Sequence, residues 1–186
     1  DRHGLTALQR SVLTGRRDVV KLFISEGVDD SSLQMAAFLG GSSHVRDLLG
    51  QGIDVNVKDD FGWTALRWAA CGYQTEVFKC LIENGADVNT RDSTGKPLLN
   101  WLVNRMSSKF LKNQSHIHME MIHLLVDNGA DVNSKGLLSR TPLHPAAAGG
   151  NKEVLELLIA HNADVDAKDN GGVTPLGLAV EGGHSE

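Results

Sequence analysis

Along residues 151–161 the apolar positions Val154, Leu155, Leu157 and Leu158 recur at helical spacing among polar neighbours, which predicts an amphipathic helix directing those side chains inward. Ahead of such segments lie shorter stripes of small residues. Leu66, Ala69 and Ala70 follow Thr64, whose hydroxyl is suited to cap a first helix. At Thr141-Pro142 and Thr174-Pro175 a proline takes the first helical position, where no amide partner is lost. Pro145 still falls within the first turn, so it is tolerable there. Gly27, Gly52, Gly85 and Gly129 end the second helices and Asn162 replaces glycine in one copy; these two residue types enter the left-handed conformation most easily.

The same blocks return along the chain. Gly-Ala-Asp-Val-Asn stands at Gly85 to Asn89 and at Gly129 to Asn133, with looser copies at Gly52 to Asn56, Asn162 to Asp166 and Gly27 to Asp30. A second block reads Gly4-Leu5-Thr6-Ala7-Leu8, Gly62-Trp63-Thr64-Ala65-Leu66, Arg140-Thr141-Pro142-Leu143-His144 and Gly172-Val173-Thr174-Pro175-Leu176. Its leucine marks six units, at Leu8, Leu33, Leu66, Leu98, Leu143 and Leu176. The period is near 33 residues, except for a short step from Leu8 to Leu33 and a long one from Leu98 to Leu143. Such periodicity marks supersecondary units that bury their apolar faces only by stacking on neighbours, so function is expected on a stacked surface.

These blocks at this spacing resemble the ankyrin repeat over essentially all 186 residues. The resemblance implies an all-α repeat solenoid of stacked helix-turn-helix units with short β-hairpin fingers. It implies a single domain over 1–186, with units at about 1–30, 31–58, 59–91, 92–135, 136–168 and a truncated 169–186. A finger is missing between Asp30 and Ser31, and an insertion at about 103–118 prolongs the first helix of the fourth unit through Leu98, Leu102, Met106 and Phe110. Trp101 and Leu102 replace the Ala-Ala pair of other units, which widens that layer. Tyr73 replaces the helix-ending glycine seen as Gly15, Gly40 and Gly150, so the inner turn of the third unit is expected to shift by one residue. Gly136 and Ser139 replace the usual Asp and Gly of a finger, which leaves the geometry of the fifth finger open.

Composition narrows the function. A net charge of −5 argues against a nucleic-acid backbone or an anionic membrane as partner of the whole surface. Arg10, Arg16, Arg17 and Lys21 read as a solvated basic patch at one end. Two cysteines, Cys71 and Cys80, suit a reducing compartment, so a cytoplasmic chain is expected, with the nucleus as the other site. There is no membrane span, and a monomer is expected. The chain lacks an initiator Met and stops where a second helix should start, so it is expected to be a fragment of a longer protein.

Catalytic signatures are missing: no phosphate-cradling loop, nucleophile elbow or Cys-x-x-Cys pair. His116, His118 and His123, with Glu120 nearby, stand at histidine spacings of two and five, neither of which places side chains on one helix face as i, i+4 would. No enzyme, cofactor or metal is expected. His144 is read as a structural brace, the role that the resemblance implies for it; Gln9, Gln34, Arg67, Leu99 and Gly177 stand at or near its equivalent elsewhere.

The resemblance places partner contacts on the fingertips and first helices that line a concave groove. The variable tip residues are then Asp60, Phe61 and Trp63; Ser93, Thr94 and Lys96; Leu137, Leu138 and Arg140; and Asn170, Gly171 and Val173. Their apolar members, with Arg67 and Trp68 nearby, suggest an apolar docking strip for a protein or peptide. Packing on adjacent fingers is the competing expectation for Trp63 and Trp68. Two other functions are weighed. Phe61, Trp63, Arg67, Trp68 and Lys96 could bind a nucleotide second messenger by stacking and charge. Asn56, Asn89 and Asn133, each eight residues after a leucine (Leu48, Leu81, Leu125), match the substrate pattern of an asparaginyl hydroxylase.

Overall fold

The computed structural model describes residues 7–14, 16–27, 32–106 and 115–184. The finger gap at Asp30 and Ser31, and the centre of the insertion at 107–114, lie outside them. Among the described residues eleven α-helices follow one another as short first and longer second helices: α1 (Ala7–Leu13) and α2 (Arg17–Ser25), α3 (Leu33–Leu39) and α4 (Ser42–Gly50), α5 (Ala65–Cys71) and α6 (Thr75–Glu83), α7 (Leu98–Met106) and α8 (Ser115–Asp127), α9 (Leu143–Ala148) and α10 (Lys152–Ala160), then α11 (Pro175–Glu181). None of these helices is long and apolar enough to cross a membrane.

Caps explain most of the boundaries. Ser32 Oγ accepts from the Met35 amide at 3.1 Å, Asn151 Oδ1 from Val154 at 3.2 Å and Thr174 Oγ1 from Gly177 at 3.3 Å. Thr64 does not cap in the expected way. The Arg67 amide donates to the Thr64 carbonyl at 3.0 Å instead, and among the described residues the buried Thr64 hydroxyl has no partner. At the far ends, Gly52, Gly85 and Gly129 adopt φ of 86–87° and Asn162 of 64°, the left-handed conformation that closes each second helix.

Tyr73 corrects a second expectation. Its φ is 58°, beside 87° at Gly40 and 62° at Gly150, and Gln74 donates to the Ala69 carbonyl as Asn151 does to that of Ala146. The inner turn therefore keeps its register, and a bulky residue bears the left-handed strain. Gly72 before it cannot be larger: a Cβ there would lie 2.3 Å from the Phe38 carbonyl oxygen.

The described chain divides into two compact units, Asp1–Asp87 and Val88–Glu186. In the first, α3 packs on α5 and α4 on α6, burying Leu33, Phe38, Leu66, Phe78 and Leu81 almost completely. In the second, α9 lies between α7 and α11, and α8 packs on α10 around Leu98, Leu102, Ile122, Leu125 and Leu143. Each such side chain contributes about 1.5–3 kcal/mol through burial. In α10, Val154 and Leu158 are buried while Leu155 and Leu157 are only half-buried, so the inward face is narrower than the pattern suggests. The prolongation expected through Phe110 runs into residues that lie outside the described ones. Helix α7 runs nine residues, but α8 runs thirteen, against nine in α4, α6 and α10. Both flanks belong to the core, because Val103 and His118 are fully buried.

Candidate functional site

Between second and first helices the chain makes tight fingers. Among the described residues no strand forms, and the hairpins expected there reduce to hydrogen-bonded turns with one isolated antiparallel bridge, Arg91 to Pro97. In each finger an amide and carbonyl pair across the base: Asp59 donates to Trp63 at 3.0 Å, Asp92 to Lys96 at 3.2 Å, Gly136 to Arg140 at 2.9 Å and Asp169 to Val173 at 3.0 Å.

Three of the fingers are held from inside by an aspartate. Asp59 Oδ1 accepts from the amides of Phe61 and Trp63, both at 2.9 Å; Asp92 Oδ1 from Thr94 and Lys96, both at 3.0 Å; Asp169 Oδ1 from Gly171 at 2.8 Å and Val173 at 3.0 Å. A carboxylate can accept several amides at once, which is why this residue type stands three positions before the glycine. The second oxygen reaches outward: Asp59 Oδ2 accepts from Trp68 Nε1 at 2.9 Å, and Asp169 Oδ2 from Arg140 Nε at 3.0 Å. The Val173 amide foremost, together with Arg140 and Gly171, holds the Asp169 carboxyl below its ordinary value of 3.8.

The fifth finger lacks this carboxylate and is held from outside. Asn100 on α7 is buried; its Nδ2 donates to the carbonyls of Arg140 at 2.8 Å and Ser134 at 3.2 Å, and its Oδ1 accepts from Ser134 Oγ at 3.1 Å. Gly136 stands in the aspartate's place, where a Cβ would lie a tight 3.1 Å from Asn100 Nδ2. Ser139 takes φ of 58° where other fingers use glycine, and Leu138 before it takes 59°, whereas its counterparts Phe61, Thr94 and Gly171 are not left-handed.

The expected strip divides in two. Trp63, Arg67 and Trp68 are each about 5% exposed, which corrects the picture of Trp63 as a side chain projecting from a tip. Trp68 meets Phe38 edge-on at 6.3 Å, Trp63 packs against Trp68 at 6.3 Å and Phe61 against Trp63 at 6.2 Å, while the Arg67 guanidinium lies 4.9 Å from the Trp63 ring centre. This is a packed aromatic cluster within the first unit, and only Phe61 at its rim keeps appreciable exposure. In the second unit Leu137 and Leu138 are 70% and 53% exposed. Beside them lies a cleft of about 410 Å³ that includes Lys96, Asn100, Asn104 and Arg140. Asp60, Ser93, Thr94, Asn170 and Gly171 are exposed at the remaining tips, and Val173 is half-buried. The basic patch of Arg10, Arg16, Arg17 and Lys21 is exposed throughout.

Two bracing systems complete the frame. His144 is buried; its Nδ1 faces the Thr141 amide and hydroxyl at 3.2 and 3.0 Å, and its Nε2 lies 3.1 Å from the Val173 carbonyl. The tautomer with the proton on Nε2 satisfies all of these, so one ring ties its own helix start to the next finger, as read from the sequence. Gln34 does related work, with Nε2 donating to the Val57 carbonyl at 3.1 Å. Asn56, Asn89 and Asn133 link successive repeats, each inside one compact unit. Their Oδ1 atoms accept from the amides of Asp87, Asp131 and Asp164 at 2.7–2.8 Å, and their Nδ2 atoms donate to the carbonyls of Gly85, Gly129 and Asn162 at 3.0–3.2 Å. The periodic Asp-Val-Asn was the available signal for this brace, but the partner atoms lie about 30 to 40 residues away.

A family model described as ankyrin repeats (3 copies) matches residues 33–133 and 110–186. No curated protein sequence matches the chain.

Proposed function

The chain belongs to the ankyrin-repeat family, and from that premise we propose that it is a non-catalytic interaction domain holding a partner protein or peptide on its fingertips and first helices. In this reading it is the recognition or regulatory part of a longer protein. The observation that carries it is the pair Leu137 and Leu138, two large apolar side chains left in water at a fingertip beside an open cleft. Asp60, Phe61, Lys96 and Arg140 supply further contacts, while Trp63, Arg67 and Trp68 act behind them by fixing the shape of the third finger. The hydrogen-bonding residues of the blocks are committed to bracing, which leaves the variable tips to carry recognition.

The reading further takes the chain as a monomer of the cytoplasm or nucleus, where the buried Cys71 and Cys80 remain reduced. The nucleotide reading is weaker, because Trp63 and Trp68 are buried and, of the aromatic residues it invokes, only Phe61 keeps exposure.

Selection of random peptides on the chain, followed by amide exchange with the best binder, tests the proposal. Protection concentrated at 59–63, 92–96, 136–140 and 169–173 is the expected outcome. Protection concentrated on the outward faces of α6, α8 and α10 would sink it.

A further inference from the structure

The fifth finger carries strain that the chain alone does not relieve. Gly62, Gly95 and Gly172 occupy the left-handed position of their fingers at φ of 71°, 77° and 76°, where glycine bears no steric penalty. Leu138 and Ser139 sit in the same region with a Cβ, and the Leu138 carbonyl is pinned by the Asn170 amide at 2.9 Å. The conformation turns two leucines into water instead of burying them. Backbone strain that exposes apolar side chains is characteristic of a surface completed by a ligand.

The chemistry of the cleft selects the ligand. Among the described residues no carboxylate lines the cleft, although the chain as a whole carries a net charge of −5. Lys96 and Arg140 supply cations, and Asn104 an exposed amide. Asp169 takes Arg140 Nε, while the terminal nitrogens of that guanidinium have no partner among the described residues. Among the described residues no aromatic ring lines the cleft, so they offer a nucleobase nothing to stack on. A volume of about 410 Å³ suits one or two side chains rather than a folded surface.

We propose that this cleft is a specificity pocket for an acidic-apolar peptide segment, taking one large apolar side chain against Leu137 and Leu138 while an adjacent carboxylate pairs with Lys96 and the outer edge of Arg140. This rests on the reading that partners bind the finger face.

Three fluorescein-labelled octapeptides, titrated by anisotropy against the 186-residue chain, test it: Gly-Ser-Asp-Leu-Phe-Asp-Ser-Gly, the same with lysine for both aspartates, and the same with serine for Leu and Phe. The acidic-apolar peptide should bind at least about tenfold tighter than either control. Leu138→Gly should weaken it about tenfold or more with no fall in thermal midpoint, since glycine accepts φ of 59°. Lys96→Gln should lower the acidic-to-lysine preference about threefold or more. Equal affinity for the acidic and lysine peptides, no binding of the acidic peptide at about 1 mM, unchanged binding by Leu138→Gly, or tighter binding of a labelled tetranucleotide RNA would each overturn the proposal. Peptides from a random selection separate its failure from that of the broader reading. If they lack an acidic-apolar signature and depend on Phe61 but not Leu138, the pocket fails and the finger face stands; dependence on neither defeats both.

Discussion

Trp63 shows how far a single residue can be read before its surroundings are known. On a glycine-containing finger it has the sequence setting of an exposed anchor, yet it is 5% exposed because Phe61, Arg67 and Trp68 close around it. Trp63→Ala should therefore cost about 3 kcal/mol or more in urea unfolding, as the loss of a buried aromatic does. A change below about 0.5 kcal/mol would show that the ring is solvated in solution. Leu138 is the opposite case. Its side chain is half-exposed and its backbone left-handed, so Leu138→Gly should leave stability unchanged or raise it by about 1 kcal/mol, measured as a shift in urea midpoint at constant slope. Neither outcome is legible in the residue's own letter: a tryptophan becomes core or anchor according to partners that the fold supplies.

At the level of the element, the fingers repeat one device and then depart from it. The aspartate three residues before glycine is visible in the sequence at Asp59, Asp92 and Asp169, and its absence at Gly136 is visible too. What replaces it is not visible, because Asn100 lies 36 positions upstream on α7 and reaches the finger only once the helix is placed. Asn100→Ala should loosen the fifth finger selectively. Amides of residues 136–140 should exchange faster by about tenfold or more, while those at 169–173 change little; equal acceleration at both would show that Asn100 supports the whole unit instead. The left-handed turns show the same division. Gly85, Gly129 and Asn162 are predictable from residue type, whereas Tyr73 keeps the turn despite its side chain, since the packing of α5 and α6 around Phe78 and Leu81 outweighs the local penalty.

For the molecule as a whole, acid sensitivity follows from Asp169. The folded chain holds this carboxyl below its ordinary 3.8, chiefly through the Val173 amide, so its contribution to stability is present above that value and is lost as the pH falls through the lowered one. Asp169→Asn should be less stable than the parent at pH 7, and the gap between the two should narrow below about pH 4 in denaturant titrations. A gap that stays constant down to pH 2.5 would exclude this linkage. The recurring blocks by themselves determined the family, the helix-and-finger order and the glycine stops, because each rests on residue type and spacing within one repeat, while the brace at His144 came from the family resemblance they carry. The burial of Trp63 and Trp68, the Asn100 clasp, the asparagine links between repeats and the exposed leucines beside a cation-lined cleft were decided only by tertiary structure. The clasp and the links join atoms of different repeats, which only helix packing brings from tens of positions apart to within hydrogen-bond distance, and Trp68 packs on Phe38 of the preceding repeat.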